Sequence, residues 1–230
     1  MSAITNLGEL IRTQADQQGD KPALVFGDRS ISYTDLHAES SRVAQGLIAA
    51  GVGAQDRVAF LDKNMPEYFT LLLGAAKVNA VTVAVNWRLA PPEMEYILNH
   101  AKVKVLMIGE EFVGHLDSMN LETAPLIVVL GEAGSHTAYG DWIAANEPVD
   151  PEYPCDYDDT CYQLYTSGTT GLPKGVELSN RNFFGMLPVA VDRWSFDADS
   201  VSLVAMPLFH IAGSGWGMVC LLYTSPSPRD

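Results

Sequence analysis

Short apolar runs rich in valine recur along this chain, each followed by a stretch with helical periodicity. RVAFL (57–61), AVTVAVN (80–86), VKVLMIG (103–109) and PLIVVLG (125–131) are the runs. PEYFTLLLGAAKVN, PPEMEYILNHA and EEFVGHLDSM are the intervening helical stretches. A strand with one wet face alternates apolar and polar residues, so a continuous apolar run marks a strand buried on both faces. Strands and helices in alternation therefore predict an α/β fold, a mostly parallel sheet with flanking helices.

The ends of the chain read differently. NLGELIRTQADQQG predicts a short amphipathic helix closed by Gly19, and ALVFGDRSISY a hairpin about Gly27-Asp28. Thr34 is a candidate N-cap for the helix DLHAESSRVAQGLIAAG, which Gly51 closes. GEAGSHTAYG (131–140) and NEPVDPEYPCDYDD (146–159) are rich in Gly, Pro and acids, and mark a candidate boundary between two halves of the sheet. Beyond them, TCYQLYTSG, GVELS and SVSLVAMP read as strands. NRNFFGMLPVAVDRW reads as a helix interrupted at Pro188, and LFHIAGSG as a loop.

Composition narrows the function classes. The chain has 230 residues, 47% of them hydrophobic, enough for one large or two ordinary domains. Its formal net charge of -14 repels nucleic-acid backbones and anionic lipid, which argues against either partner. The three cysteines match no zinc spacing, and an odd count argues against a disulfide framework. The N-terminus lacks a basic start and an apolar segment, and no run reaches the roughly 18 apolar residues of a membrane span. The expectation is a soluble, cytoplasmic protein. His37, His100, His115 and His136 are scattered and read as surface residues. Asp156, Asp158 and Asp159 read as a solvated acidic run.

The segment LYTSGTTGLPKG (164–175) carries the densest chemistry. Glycines let a backbone aim several N–H groups at one point, hydroxyls add donors, and lysine adds a compact charge. Together they suit an anion, most often a phosphate. The P-loop of nucleotide triphosphatases is excluded. Lys174 follows Pro173 rather than Gly, Gly175 follows it rather than Ser or Thr, and the loop precedes a strand rather than a helix.

YTSGTTGLPKG resembles the signature loop of the adenylate-forming superfamily. ISYTDLHAESSRVAQGLIAAGVGAQDRVAFL, GAAKVNAVTVAVNWRLAPPEMEYILNHA and MPLFHIAG resemble further regions of that family in the same order. The resemblance covers nearly all of residues 1–219 and implies the N-terminal part of the family's large domain. It further implies a ligase that joins a carboxylate to ATP as acyl-AMP and then passes the acyl group to the thiol of coenzyme A. Thr166, Ser167, Gly168, Thr169, Thr170, Gly171 and Lys174 would cradle the ATP phosphates. Magnesium would bridge those phosphates beside Thr166, and Lys174 would act as pyrophosphate leaves. His210 would lie beside the acyl substrate, with Gly213, Ser214, Gly215 and Trp216 as candidate pocket residues. Asn180 stands where the family most often has His, and reads as a helix cap. KGVELSNRNF and PLFHIAGSGW resemble fatty-acyl or medium-chain acyl ligases, with aryl-acid ligases and peptide-synthetase adenylation domains as alternatives.

The family's later motifs, its hinge and its C-terminal domain do not occur in these residues. The expectation is an inactive fragment of a ligase, with a nucleotide-binding module without catalysis as the alternative. CLLYTSPSPRD (220–230) departs from the family pattern and back-translates in frame to a sequence resembling a sequencing-library adapter. It is expected to be adapter read-through and disordered.

Overall fold

The computed structural model describes residues 4–166, 171–195 and 200–223. Helix α1 (Leu7–Gln18) and the antiparallel hairpin β1 (Pro22–Phe26) and β2 (Arg29–Ser32) lead into α2 (Tyr33–Ala49). The pattern then alternates through β3 (Arg57–Leu61), α3 (Glu67–Lys77), β4 (Val81–Ala84), α4 (Pro91–Ala101) and β5 (Val105–Gly109). A 3-10 helix (Glu110–Ser118), β6 (Leu126–Leu130), β7 (Thr137–Ala138) and α5 (Tyr139–Ala144) follow. The last elements are β8 (Thr160–Thr166), β9 (Lys174–Ser179), α6 (Asn180–Trp194) and α7 (Ile211–Tyr223).

One seven-stranded sheet runs in the order β7-β6-β5-β3-β4-β8-β9. Every neighbouring pair is parallel except β8 and β9. Successive strand residues serve opposite faces. Val58 and Phe60 of β3, Val105 and Met107 of β5, and Val128 of β6 pack with α1, α2, α3 and α5. Ala59, Leu61, Leu106, Ile108 and Val129 pack with α4 and Phe112. Both faces are dry, which is why the runs are continuous rather than alternating. Helices α2 and α3 approach closely at Gly74, where a Cβ would fall 2.6 Å from Val43 Cγ1 and 2.9 Å from the Ser40 carbonyl oxygen.

Several expectations are corrected. The cap of α2 is Ser32, one position before the helix: its hydroxyl accepts from the Asp35 N–H at 3.0 Å, and the Asp35 carboxylate accepts from the Ser32 N–H. This reciprocal box satisfies two orphan donors, where Thr34 alone would satisfy one. Residues 110–118 wind as a 3-10 helix. α6 continues past Pro188, which removes one donor without breaking the rest of the ladder. Residues 200–207 form no strand and have no ladder partner among the described residues. Val201 and Leu203 are 97% and 84% exposed. The supposed loop after Leu208 is largely helix, because α7 begins at Ile211. Cys220 to Tyr223 extend α7, and Leu221 is buried. Residues 224–230 lie outside the described residues.

Nor do residues 146–159 divide the sheet, since β8 pairs with β4. Two residues at the end of α3 staple this segment down. Asn79 donates to the Pro154 carbonyl and to Asp159 Oδ2 at 2.8 Å. Lys77 is fully buried; its Nζ donates to the His37 carbonyl at 2.8 Å and to Ser41 Oγ at 2.7 Å, lies 3.0 Å from His37 Nδ1, and reaches Asp150 at 3.6 Å. His37 is thus a partner of a buried amine rather than a surface residue. Burial would raise the Asp150 carboxyl, but the Arg12 hydrogen bond and the Lys77 charge leave it below its ordinary value. Asp159 also caps the turn by accepting from Asp156 N–H at 2.8 Å, so it belongs to the structure; Asp158 pairs with Arg181 in solvent.

Burial pushes the Lys77 ammonium from its ordinary 10.5 down to about 7, with Asp150 opposing the shift. Between those limits the unfolded chain holds a proton that the folded chain has released, so stability rises with pH. Lys77→Met removes that contribution. The stability of the parent relative to Lys77→Met, from urea unfolding, is expected to grow from pH 7 towards pH 10. The slope is at most about 1.4 kcal/mol per pH unit.

Candidate functional site at the carboxyl edge of the sheet

Parallel strands end at a common edge, and loops at the carboxyl ends of such strands form the usual crevice of open α/β sheets. Here β3, β4, β5 and β8 deliver residues 62–64, 85–89, 110–111 and Thr166 to one edge. Because β9 is antiparallel to β8, its first residue arrives there too, and Lys174 is the register partner of Thr166. Both side chains are exposed. The strands on either side of the sequence-predicted phosphate loop are therefore paired in a ladder that ends at Thr166 and Lys174. Gly171 follows with φ of +105°, a conformation L-residues rarely adopt. Ser167, Gly168, Thr169 and Thr170 lie outside the described residues.

His210 reaches the same edge by another route. The Asn64 side chain, just past β3, donates to the Met206 carbonyl and accepts from the Leu208 N–H, each at 2.9 Å. Tyr162 of β8 donates to the Leu208 carbonyl at 3.0 Å, and itself pairs with the Tyr68 hydroxyl in the core. Phe209 meets the Trp87 ring edge-on at 6.5 Å between centroids. The Arg88 guanidinium lies over both rings, 4.8 Å from Trp87 and 5.7 Å from Phe209. These contacts leave His210 exposed at the start of the 13-residue α7. Its Nδ1 accepts from the Ala212 N–H at 3.1 Å, so the neutral ring carries its proton on Nε2. The Nε2–H is thus a donor held at a helix N-terminus, where the backbone dipoles favour an anion.

The other candidates divide. Gly213 packs its backbone on the turn before His210, where a Cβ would meet the Pro207 carbonyl oxygen at 2.2 Å. Ser214 is buried and donates to the His210 carbonyl at 3.1 Å. Trp216 is half-buried, donates to Ser202 Oγ at 2.5 Å and meets Trp194 edge-on. Gly215 is buried in the same helix. The cap of α6 is Ser179, whose hydroxyl accepts from the Asn182 N–H; Asn180 is buried and donates to Cys155 Sγ and the Asp156 carbonyl instead. Asn64, Trp87, Arg88 and Tyr162 have no assigned role in the sequence reading. The available signal is their place, since polar and aromatic residues just past a buried parallel strand stand where ligands bind. Among the described residues, no group of three or more His, Cys, Asp or Glu side chains is arranged to hold a metal ion.

Comparison with known proteins agrees with this architecture. Residues 11–225 match the AMP-binding enzyme family, and the chain belongs to it. It is 38% identical over 208 residues to a fatty acid–[acyl-carrier-protein] ligase, ScoC, of Streptomyces coeruleorubidus, covering 88% of this chain and 39% of that protein. It is 36% identical to a feruloyl-CoA synthase of an Amycolatopsis species, covering 86% of this chain and 38% of that protein. The anthranilate CoA ligase AuaEII, solved with anthranoyl-AMP, superposes with a TM-score of 0.88 at 27% identity, over 96% of this chain and 44% of that one. The chain therefore spans about two fifths of the length of the curated relatives it matches.

Asn64→Ala removes both bonds that hold the segment before His210. Hydrogen exchange at the Leu208 amide is expected to accelerate, with a stability loss of about 2 kcal/mol for two net hydrogen bonds. Unchanged protection of Leu208 would show that Asn64 does not position this segment.

Proposed function

We propose that this chain is the N-terminal part of an ATP-dependent acid–thiol ligase that makes an acyl-AMP and passes the acyl group to coenzyme A. The observation that carries the reading is the pairing of Thr166 with Lys174 at the carboxyl edge of a sheet that belongs to the AMP-binding family. In the first step a carboxylate oxygen bonds to the α-phosphorus of ATP, and the bond to the bridging oxygen breaks to release pyrophosphate. In the second, the thiol sulfur attacks the acyl carbon, loses its proton and expels AMP.

The first step brings two anions together, on a chain whose formal charge is already -14. Catalysis then depends on donors fixed where negative charge develops. Backbone N–H groups and the hydroxyls of Thr166, Ser167, Thr169 and Thr170 would bind the β- and γ-phosphates, with Gly168 and Gly171 allowing the backbone its approach. Lys174 would neutralise the departing pyrophosphate. Magnesium suits a site with few protein ligands, because it keeps waters and takes most other ligands from phosphate. The exposed Thr166 hydroxyl fits that role, and the metal would supply charge neutralisation across the phosphates.

The substrate would be a small or fatty carboxylic acid approaching His210, whose Nε2–H is placed to donate to an oxygen of the acyl group or adenylate. A fatty acyl chain is favoured by the likeness to ScoC, and an aryl acid is the competing reading, favoured by the feruloyl and anthranilate relatives. ScoC also raises an acyl-carrier protein as an alternative acceptor. Cys155, Cys161 and Cys220 are free thiols, which suits a cytoplasmic setting, and no described helix is long and apolar enough to cross a membrane.

In the full-length parent, Lys174→Ala is expected to slow carboxylate-dependent ATP–pyrophosphate exchange by about a hundredfold, the usual scale for one charged transition-state contact. An unchanged rate would remove Lys174 from the reaction. His210→Ala is expected to raise KM for the carboxylate more than KM for ATP; the reverse order would place His210 on the nucleotide instead.

A further inference from the structure

The residue between the buried part of β8 and the phosphate-binding candidates is Tyr165. It precedes Thr166 directly, and its register partner Gly175 follows Lys174 directly. One rung of the ladder therefore sits behind both candidate ligands. The Tyr165 phenol does not point at solvent alone. Its oxygen lies 2.7 Å from His100 Nδ1 and 3.1 Å from Gln163 Nε2.

The direction of each bond follows from the surroundings. Gln163 Oε1 accepts from Arg57 Nε at 3.3 Å, which turns the amide nitrogen towards Tyr165. The phenol oxygen thus accepts from Gln163, and its own proton goes to His100 Nδ1. Burial raises the Tyr165 phenol to about 12, so that proton is present at neutral pH. His100 is itself held: Tyr96, one helical turn earlier on α4, stacks on its ring at 5.5 Å. Arg57 extends the network to the far strand, with bonds to the Gln55 carbonyl and to Glu177 of β9.

Gly175 belongs to the same device. A Cβ there would fall 2.5 Å from Gln163 Nε2 and 3.3 Å from the Tyr165 hydroxyl. A side chain at 175 would have to displace the Gln163 amide that donates to Tyr165. Among the described residues β9 is one of the two outer strands of the sheet, and it reaches the α4 face through this cluster. A hairpin at an edge, with few buried apolar contacts, belongs to the parts of a fold that open most readily, and a contact beyond its own ladder raises that cost.

We propose that Tyr165, locked by His100 of α4 and Gln163 of β8, is a positioning residue that fixes the hairpin carrying Thr166 and Lys174 for grip on the ATP phosphates. The claim rests on the function proposed above in its last clause only. The lock itself is a property of the folded chain. Binding geometry must hold within a fraction of an ångström for such contacts to act together, which is the reason to brace an edge hairpin from a helix.

The test uses the full-length parent with Tyr165→Phe, which keeps the ring and removes the phenol. His100→Leu removes the acceptor, and His100→Asn keeps an acceptor at the Nδ1 position. Two readouts are taken: KM for ATP in carboxylate-dependent ATP–pyrophosphate exchange, and hydrogen exchange without ligand at amides 164–166 and 174–176. Tyr165→Phe and His100→Leu are expected to raise KM for ATP about tenfold, the scale of one hydrogen bond, leaving KM for the carboxylate unchanged. Both are expected to speed exchange in the hairpin but not in α4, and His100→Asn is expected to restore both readouts. Parent-like hairpin exchange in Tyr165→Phe overturns the lock, and an unchanged KM for ATP with faster exchange overturns its link to phosphate. A parent without exchange activity would sink the proposed function, and the hydrogen-exchange readout would still decide the lock.

Discussion

Burial of parallel strands on both faces is the constraint on which the rest of this structure depends. Once α1, α2, α3 and α5 cover one face and α4 covers the other, the buried strands β3, β4 and β5 are open to water only at their ends. Backbone donors, hydroxyls and charges that serve a ligand must then gather at an end. The antiparallel β9 adds to this, because it returns Lys174 to the edge where β8 delivers Thr166. The second candidate group, His210, arrives on a different segment and is brought in by Asn64, Tyr162 and the Trp87–Arg88 pair. Each of those residues comes from an element of the same sheet or the turn after it.

A chain with formal charge -14 repels triphosphate in general, so the binding proposed above rests on local, directed donors. The hydroxyl-rich loop 164–175 and the exposed Lys174 are the candidates for them in the sequence. The His210 imidazole is turned by the Ala212 N–H so that a donor, not a lone pair, faces outward. The bracing proposed for Tyr165, His100 and Gln163 lies directly behind the exposed Thr166 and Lys174.

Much of this was legible in the residues because the signals were periodic or punctuated. The runs at 57–61, 80–86, 103–109 and 125–131 all became sheet, since a continuous valine-rich run has few other ways to be buried. What escaped was decided at longer range. His37 reads as a surface residue until α3 places Lys77 beside it. Residues 146–159 carry the composition of a linker, but Asn79 and Lys77 fasten them to the end of α3. Residues 200–207 have the alternation of a strand and no ladder partner among the described residues. At the candidate site, the composition of the loop 164–175 pointed to anion binding and the family resemblance supplied His210 as a candidate. Asn64, Tyr162 and His100 were not readable, because their roles are hydrogen bonds to segments distant in sequence.

The central claim is that the β8–β9 hairpin grips the phosphates of ATP. A crystal structure of the full-length parent with a non-hydrolysable ATP analogue tests it most directly. The account predicts the triphosphate along the hairpin tip, with a phosphate oxygen within hydrogen-bond reach of the Thr166 hydroxyl and another beside the Lys174 ammonium. A triphosphate bound elsewhere on the protein, with the hairpin tip in contact only with solvent, would contradict it.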